Sequence, residues 1–243
     1  MSHPLGSTRT IVKSNYALIS PDSRVTSVLP GWTHCVASVQ ISAAMGANLT
    51  QLIVDVPKNG AATSSTSDNQ VFFFVVSGGI VLNGRKLGAE HFAFLPPGTT
   101  YELRGDLKQS QVLIFQKRYE IMPGQATPAA IYGDTAKIKA TAFLGDPNAR
   151  LQTLLPDVLA FDMAINVFTY DPGATLPFVE SHIMEHGMLF LSGAGIYRLG
   201  ADWYPVQTGD AIWIAPYCEQ WFVAMGKTPA RYIYYKDVNR APK

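Results

Sequence analysis

The segment VFFFVVSGGIVLNG (residues 71–84) decides the fold, together with its counterpart MLFLSGAGIYRLG (188–200). Each is a run of β-branched and aromatic residues, a glycine turn, a second apolar run and a closing glycine. Apolar runs broken about every 8 to 12 residues by Gly, Pro or Asn are typical of an all-β sandwich or barrel. We therefore predict an all-β protein.

The same order of features extends outward from both segments. EHFAFLPPGTTY (90–101) follows the first segment and GDAIWIAPYCEQ (209–220) follows the second, and each leads to a closing apolar run. MPGQATPAA (122–130), between the two copies, has the composition of a linker. The simplest interpretation is two tandem barrels, one in residues 1–125 and one in residues 126–243. The alternative is that any antiparallel protein shows glycine-punctuated strands.

Helical periodicity is scarce, and only residues 136–155 could hold a turn or two of helix. Hydrophobic residues make up 47% of the 243 and charged residues 15%, which excludes a largely disordered chain. A net charge of +1, without a strong run of one sign, argues against a charge-driven binder of nucleic acid or membranes.

Targeting signals and cysteine frameworks are also missing from the sequence. The apolar stretches are shorter than the roughly 18 residues that span a bilayer, and the first residues lack a signal-peptide core. Two cysteines are too few for a disulfide framework. We expect a cytoplasmic protein without nucleic-acid or membrane partners.

Candidate metal ligands stand close together in GATLPFVESHIMEHGMLFLSG (173–193). Glu180, His182 and His186 have even spacing, so on an extended chain their side chains would share one face. One carboxylate and two imidazoles suit a divalent metal. The alternative is an exposed polar turn with two unremarkable histidines.

A second interpretation of this segment is a zinc peptidase. Residues 182–186 read H-x-x-E-H, which serves that chemistry only on a helix, with Glu185 as the general base. Because Gly187 follows at once and no helical pattern surrounds the motif, we expect no helix here. Glu185 is then a residue behind the ligands or at the surface.

The segment resembles the first cupin motif, with glutamate in place of its first histidine and histidine in place of its glutamate. The residues that carry this likeness are Gly173, Glu180, His182, His186 and Gly193. Gly209, Pro216 and Gln220 resemble the second cupin motif, although Cys218 replaces the usual glycine and Gln220 displaces the usual histidine. A Glu-His-His-Gln ligand set is similar to that of the (S)-ureidoglycine aminohydrolase family of bicupins, and the likeness covers nearly the whole chain.

This resemblance implies a function and a set of site residues. The fold would be two tandem cupin (jelly-roll) barrels, with Glu180, His182, His186 and Gln220 binding manganese; other first-row divalent metals stay open. The enzyme would bind a small anionic ureido substrate and release ammonia from (S)-ureidoglycine to give (S)-ureidoglycolate in purine (allantoin) catabolism. Tyr197, Tyr232 and Lys236 match the family's substrate-binding and catalytic positions, and Glu180 is a ligand that could also move a proton.

The first barrel is expected to be a degenerate scaffold without metal. Ser65, Ser67 and Val71 occupy its corresponding ligand positions, Tyr101 corresponds to Gln220, and His91 is expected to be a packed or surface histidine. Its Phe-rich strands would pack the core or a subunit interface, and we expect a homo-oligomer. Two other classes stay open: another metal-cupin enzyme, such as a dioxygenase or isomerase, and a non-catalytic binding bicupin.

Overall fold

A computed structural model describes residues 7–240, and β-strands dominate it. The strands as far as residue 134 are β1 Ile11–Val12, β2 Tyr16–Ile19, β3 Trp32–Thr33, β4 Val36–Ile41, β5 Thr50–Pro57, β6 Ala61–Ser65, β7 Asn69–Ser77, β8 Gly79–Leu82, β9 Arg85–Gly88, β10 His91–Leu95, β11 Thr100–Gly105, β12 Gln109–Arg118 and β13 Ile131–Asp134. The later strands are β14 Thr141–Phe143, β15 Asp146–Thr153, β16 Met163–Tyr170, β17 His186–Ser192, β18 Ala194–Leu199, β19 Asp202–Gln207, β20 Ala211–Ile214, β21 Gln220–Met225 and β22 Ala230–Asp237. Short 3-10 turns occur at Pro21–Ser23, Ala43–Met45 and Thr135–Lys137.

The strands form two antiparallel barrels in tandem, each made of a larger and a smaller sheet. The first barrel has the sheets β13-β10-β7-β12-β5-β4 and β3-β6-β11-β8-β9. The second has β1-β2-β20-β17-β22-β16-β15-β14 and β19-β18-β21. The predicted all-β fold with two tandem barrels is confirmed.

Two glycines show how closely the halves repeat each other. Gly78, between β7 and β8, and Gly193, between β17 and β18, both have a positive φ, of 77° and 76°. A Cβ on Gly78 would lie 2.4 Å from the carbonyl oxygen of Gln109, and one on Gly193 would lie 2.5 Å from that of Pro229. Both turns therefore require glycine for the same two reasons. The backbone has a positive φ, and a side chain would collide with the backbone at the start of β12 or β22.

The larger sheets of the two barrels pack face to face, so their strands are buried on both sides. On β7, Phe72 and Phe74 belong to the core between the barrels, whereas Phe73 points into the first barrel. On β22, Tyr235 belongs to the core between the barrels, and Tyr232 points into the second barrel. Burial on both faces explains why these strands read as continuous apolar runs rather than alternating ones.

Short segments are exchanged across the sequence midpoint. β2 pairs with β20, placing Tyr16 opposite Ile214, so residues near the start complete the second barrel. β13 pairs with β10 and completes the first barrel. The predicted domain boundary between residues 125 and 126 stays a prediction. In the structure, each barrel includes at least one strand from the other side of that boundary.

Residues 136–155, where the sequence allowed a turn or two of helix, contain helical structure only in the 3-10 turn Thr135–Lys137. The chain instead forms β14 and β15, and β15 pairs with β16 so that Leu151 lies opposite Phe168. A tertiary pairing partner thus overrides a weak local preference. Within residues 7–240, no helix is long and apolar enough to cross a membrane.

Candidate active site

The candidate site lies inside the second barrel, where a loop meets the ends of three strands. Residues 171–185 form an irregular loop that enters β17 at His186. Glu180 and Gln220 exchange two backbone hydrogen bonds of 2.9 Å each, which ties the loop to the first residue of β21. Lys236, near the end of β22, is the antiparallel partner of His186. The loop, rather than a strand, brings the predicted residues together.

These elements enclose a cavity of about 110 Å³ in the described part of the chain. All seven predicted site residues line it, with further apolar and aromatic side chains. The lining residues are Phe143, Phe168, Leu176, Glu180, His182, His186, Met188, Tyr197, Gln220, Tyr232, Tyr234 and Lys236. A cavity of this size suits a small molecule.

The two imidazoles present unprotonated nitrogens to each other. His182 Nδ1 lies 3.1 Å from the carbonyl oxygen of Met184, and His186 Nδ1 lies 3.1 Å from that of Tyr235. A carbonyl only accepts, so in each neutral ring Nδ1 carries the hydrogen and Nε2 is left as an acceptor. The two Nε2 atoms are 3.2 Å apart.

Burial keeps both imidazoles neutral. Desolvation lowers the pKa of His186 to about 3, and the neighbouring His182 adds to the effect. Desolvation also lowers the pKa of His182, with Lys236 as the second cause. Both nitrogen lone pairs are therefore available near neutral pH.

Gln220 places an amide beside this pair, and Tyr197 holds the amide. Gln220 Nε2 lies 3.2 Å from His182 Nε2, and the Tyr197 hydroxyl donates to Gln220 Oε1 over 2.8 Å. Both side chains are buried, at 2% and 1% exposure. Turning the amide by half a rotation would aim Oε1 at the imidazoles and let Nε2 donate to the tyrosine oxygen.

Glu180 and Lys236 supply the opposite charges of the cavity. Burial raises the pKa of the Glu180 carboxyl, and the positive charge of Lys236 partly offsets this. No hydrogen bond described in residues 7–240 joins the Glu180 carboxylate to either imidazole. Glu180 thus lines the cavity without a described hydrogen bond to the imidazoles.

The chemistry of these donors fits a divalent cation. Two neutral nitrogens that face each other at 3.2 Å repel unless a proton or a cation lies between them, and desolvation disfavours the proton. An amide and a carboxylate line the same cavity. Within residues 7–240, no three His, Cys, Asp or Glu side chains are grouped as a ready-made ion site. Two imidazoles and the amide are preassembled, and the carboxylate is not.

Comparison with known proteins identifies the family. The chain is 38% identical to (S)-ureidoglycine aminohydrolase of Arabidopsis thaliana over 242 residues, which cover 98% of this chain and 80% of that protein. It is 31% identical to (S)-ureidoglycine aminohydrolase of Escherichia coli (strain K12), over 96% of this chain and 92% of that one. The chain belongs to the (S)-ureidoglycine aminohydrolase family.

Structural comparison agrees with this assignment to the aminohydrolase family. The crystal structure of a putative glyoxylate-induced protein from Pseudomonas aeruginosa superimposes with a TM-score of 0.89 at 29% identity, covering 100% of this chain and 95% of that one. The family model described as a cupin domain matches residues 166–235, which span most of the second barrel. This member of the aminohydrolase family therefore has the bicupin fold.

Tyr232 and Tyr234 form the floor of the cavity in this aminohydrolase family member. The Tyr232 hydroxyl lies 3.3 Å from that of Tyr170, and the Tyr234 ring packs edge-on against His186 at 5.4 Å between centroids. Burial raises the pKa values of Tyr197 and Tyr232 well above the usual range, so these hydroxyls stay protonated and can donate. Sequence reasoning missed Tyr234, although it shares strand parity with Tyr232 and Lys236.

Glu185 lies outside the cavity, and the segment 182–186 is not helical. Its carboxylate accepts hydrogen bonds from Trp213 Nε1 at 2.7 Å and from the Asn48 backbone at 3.1 Å. Burial raises the pKa of this carboxyl to about 7. The aminohydrolase family member therefore lacks the helical geometry of H-x-x-E-H peptidases, and Glu185 is buried behind the imidazoles rather than exposed.

The corresponding positions of the first barrel hold no comparable donor set. Val71 and Tyr101 are buried in its apolar core, Ser65 ends β6 and Ser67 lies in a turn. His91 is partly exposed on β10, with Nε2 3.7 Å from a carboxylate oxygen of Asp134. That this barrel takes no metal stays a prediction. Its Phe-rich strands pack against the second barrel of the aminohydrolase family member.

Proposed function

We propose that this chain is an (S)-ureidoglycine aminohydrolase, an enzyme that hydrolyses (S)-ureidoglycine to (S)-ureidoglycolate and ammonia in purine (allantoin) catabolism. The names of the relatives at 31% and 38% identity support this activity. The observation that carries the proposal is the convergence of His182, His186 and Gln220 in a small cavity that Lys236 also lines.

Lys236 is the group we assign to the substrate carboxylate. It lines a cavity that several buried aromatic side chains also line, and it lies opposite His186 across β17 and β22. An ammonium in such surroundings attracts an anion more strongly than it would in water, because the local dielectric constant is lower. The Tyr232 hydroxyl, which stays protonated, can donate to a ureido or carboxylate oxygen.

Hydrolysis breaks the bond between the α-carbon and its amino nitrogen and forms a bond to a water oxygen. One proton of the water must reach the departing amino group, which leaves as ammonia. Glu180 is the group we assign to this transfer, because its carboxylate lines the same cavity as the other site residues and can accept a proton from water and pass it on.

We propose manganese as the cofactor, held by Glu180, His182, His186 and Gln220. Oxygen and imidazole donors suit manganese, and they also suit other first-row divalent ions. A bound divalent cation supplies Lewis-acid polarisation of the groups on the substrate's α-carbon. Elemental analysis of protein purified without added metal tests this: about one manganese per chain is expected, and another metal would replace manganese in the assignment.

The activity is tested with freshly prepared (S)-ureidoglycine. Ammonia and ureidoglycolate are measured with metal-loaded and metal-free protein, and the chirality of the product is determined. Rapid release of ammonia and a single enantiomer are expected. Release no faster than spontaneous decay would exclude the activity. Oxygen consumption instead of hydrolysis would indicate a dioxygenase, and binding without turnover would indicate a non-catalytic bicupin.

We also propose a homo-oligomer in the cytoplasm. Exposed apolar side chains, including Val25, Val28 and Ile121, support association between copies. Both cysteines are free thiols, which is compatible with a reducing compartment. Light scattering coupled to size-exclusion chromatography tests the assembly, and cell fractionation tests the location.

A further inference from the structure

Glu185 connects the imidazole-bearing loop to the first barrel. It is 1% exposed, and its carboxylate lies in the layer between the barrels rather than in the cavity. Both carboxylate oxygens lie 3.1 Å from the backbone nitrogen of Asn48, which precedes β5. Trp213 on β20 donates from the other side. Burying a carboxylate is costly unless hydrogen-bond donors satisfy its oxygens. Moving away from these N–H donors would therefore be unfavourable, and they hold the carboxylate in one place.

The backbone beside Glu185 fixes both imidazoles. The carbonyl that accepts from His182 Nδ1 belongs to Met184, the residue immediately before Glu185. The backbone N–H of Glu185 itself donates to the Asp237 carboxylate. His186, the next residue, is oriented by the carbonyl of Tyr235 on the same strand as Asp237. A shift of the backbone at residue 185 would therefore turn both rings.

The first barrel also packs closely against β17 just after His186. A Cβ on Gly187 would lie 2.7 Å from Leu49 Cδ1 and 2.9 Å from Gln51 Oε1. Gln51 Nε2 donates to the carbonyl oxygen of Met188 over 3.0 Å. Residues 185, 187 and 188 thus all contact residues 48–51 of the first barrel.

We propose that Glu185 is a positioning residue through which the first barrel sets the two imidazole Nε2 atoms for cation binding. This inference rests on the cation site of the proposed function. It gives the first barrel a role in the chemistry of the second, although none of the first-barrel residues that the structure describes lines the cavity.

The test compares Glu185→Gln and Glu185→Leu with Glu90→Gln as a matched control. Glutamine keeps the shape and one acceptor for Trp213, and leucine removes every acceptor. Glu90 also links the barrels, through two hydrogen bonds with Arg231. Arg231 lies five residues from Lys236 on β22, roughly 16 Å along the strand, so the control loosens the interface away from the cavity.

The measurements are the Mn²⁺ dissociation constant of metal-free protein, by electron paramagnetic resonance of free Mn²⁺, and the melting temperature. We expect Glu185→Gln to weaken Mn²⁺ binding roughly 10- to 100-fold, the usual cost of losing a group behind a metal ligand, and Glu185→Leu to weaken it at least as much. Saturating Mn²⁺ should restore most of the activity of Glu185→Gln. Glu90→Gln should lower the melting temperature without changing Mn²⁺ affinity.

Two results with the variants would overturn the inference. One is wild-type Mn²⁺ affinity in Glu185→Gln, and the other is a loss of affinity in Glu90→Gln equal to that in Glu185→Gln. A wild-type protein that binds no divalent cation would also overturn it. If Glu185→Leu does not fold, Glu185→Gln decides the question. Wild-type protein that binds Mn²⁺ but releases no ammonia from ureidoglycine would refute the proposed activity and leave the affinity comparison valid.

Discussion

Removing the hydroxyl of Tyr197 separates two roles that this residue could play. The hydroxyl donates to the Gln220 amide over 2.8 Å, at the same time as it lines the cavity. Tyr197→Phe deletes this bond and keeps the ring that packs against Phe222 at 5.6 Å between centroids. If the hydroxyl acts by holding Gln220, the substitution should weaken metal binding. If it acts only on the substrate, it should raise KM and leave metal binding unchanged.

The geometry sets the size of the expected effect. With Oε1 turned toward the cation, Gln220 Nε2 would donate to the Tyr197 oxygen, and because Gln220 is 2% exposed, solvent would not replace that partner. Leaving this buried amide N–H without an acceptor costs about 1–3 kcal/mol. If that cost falls on the metal-bound state, the Mn²⁺ dissociation constant rises roughly 5- to 150-fold, since about 1.4 kcal/mol corresponds to a factor of ten.

The assay is a Mn²⁺ titration of metal-free protein, with Tyr170→Phe as the control. The Tyr170 hydroxyl lies in the same aromatic cluster and contacts the Tyr232 hydroxyl at 3.3 Å, away from Gln220. We expect Tyr170→Phe to keep wild-type Mn²⁺ affinity. A Tyr197→Phe protein with wild-type affinity and a raised KM would refute the assignment of Tyr197 to the amide.

Three further predictions concern other members of the site. Gln220→Leu should weaken Mn²⁺ binding roughly 10- to 100-fold in the same titration. The control Gln207→Leu, at an exposed position, should keep wild-type affinity. If Gln220→Leu also kept wild-type affinity, Gln220 would not be a metal ligand. Lys236→Met should raise KM for ureidoglycine roughly 10- to 150-fold, which corresponds to the loss of one hydrogen bond to a charged group. The metal content should be unchanged. An unaltered KM would show that the substrate carboxylate binds elsewhere. The folded pKa of His186 lies below the unfolded value, so the unfolded chain takes up that proton first as pH falls and stability decreases. Between pH 7 and pH 5, urea unfolding of the metal-free protein should therefore show about 2 kcal/mol more loss in the wild type than in His186→Gln, and equal losses would contradict neutral burial.

Much of the fold could be predicted because its determinants are local. The turns at Gly78 and Gly193 need glycine for backbone reasons that a sequence displays directly. Most of residues 136–155, where the sequence allowed a turn or two of helix, is strand, because β15 is stabilised by pairing with β16, a partner that local periodicity does not reveal. For the same reason, the sequence did not predict that β2 completes the second barrel.

The candidate site shows a similar division. Glu180, His182 and His186 all line one cavity, but an irregular loop rather than a strand places the first two, so even spacing along an extended chain is not what groups them. The family resemblance, not periodicity, led to Gln220 and Tyr197. The hydrogen bond between them depends on two strands that meet only in the folded barrel.

The pairing of β2 with β20 also constrains how the protein can be made. Residues 16–19 leave the ribosome early, yet their partners at 211–214 are synthesised almost two hundred residues later. Until then, Ala17 and Leu18, which are buried in the finished protein, can pair only with the two-residue strand β1 and lack their partner β20. Closing so long a loop is slow compared with forming hairpins, so the amino-terminal strands are expected to dock last during synthesis. The second barrel would then mature only after residues 211–214 have emerged.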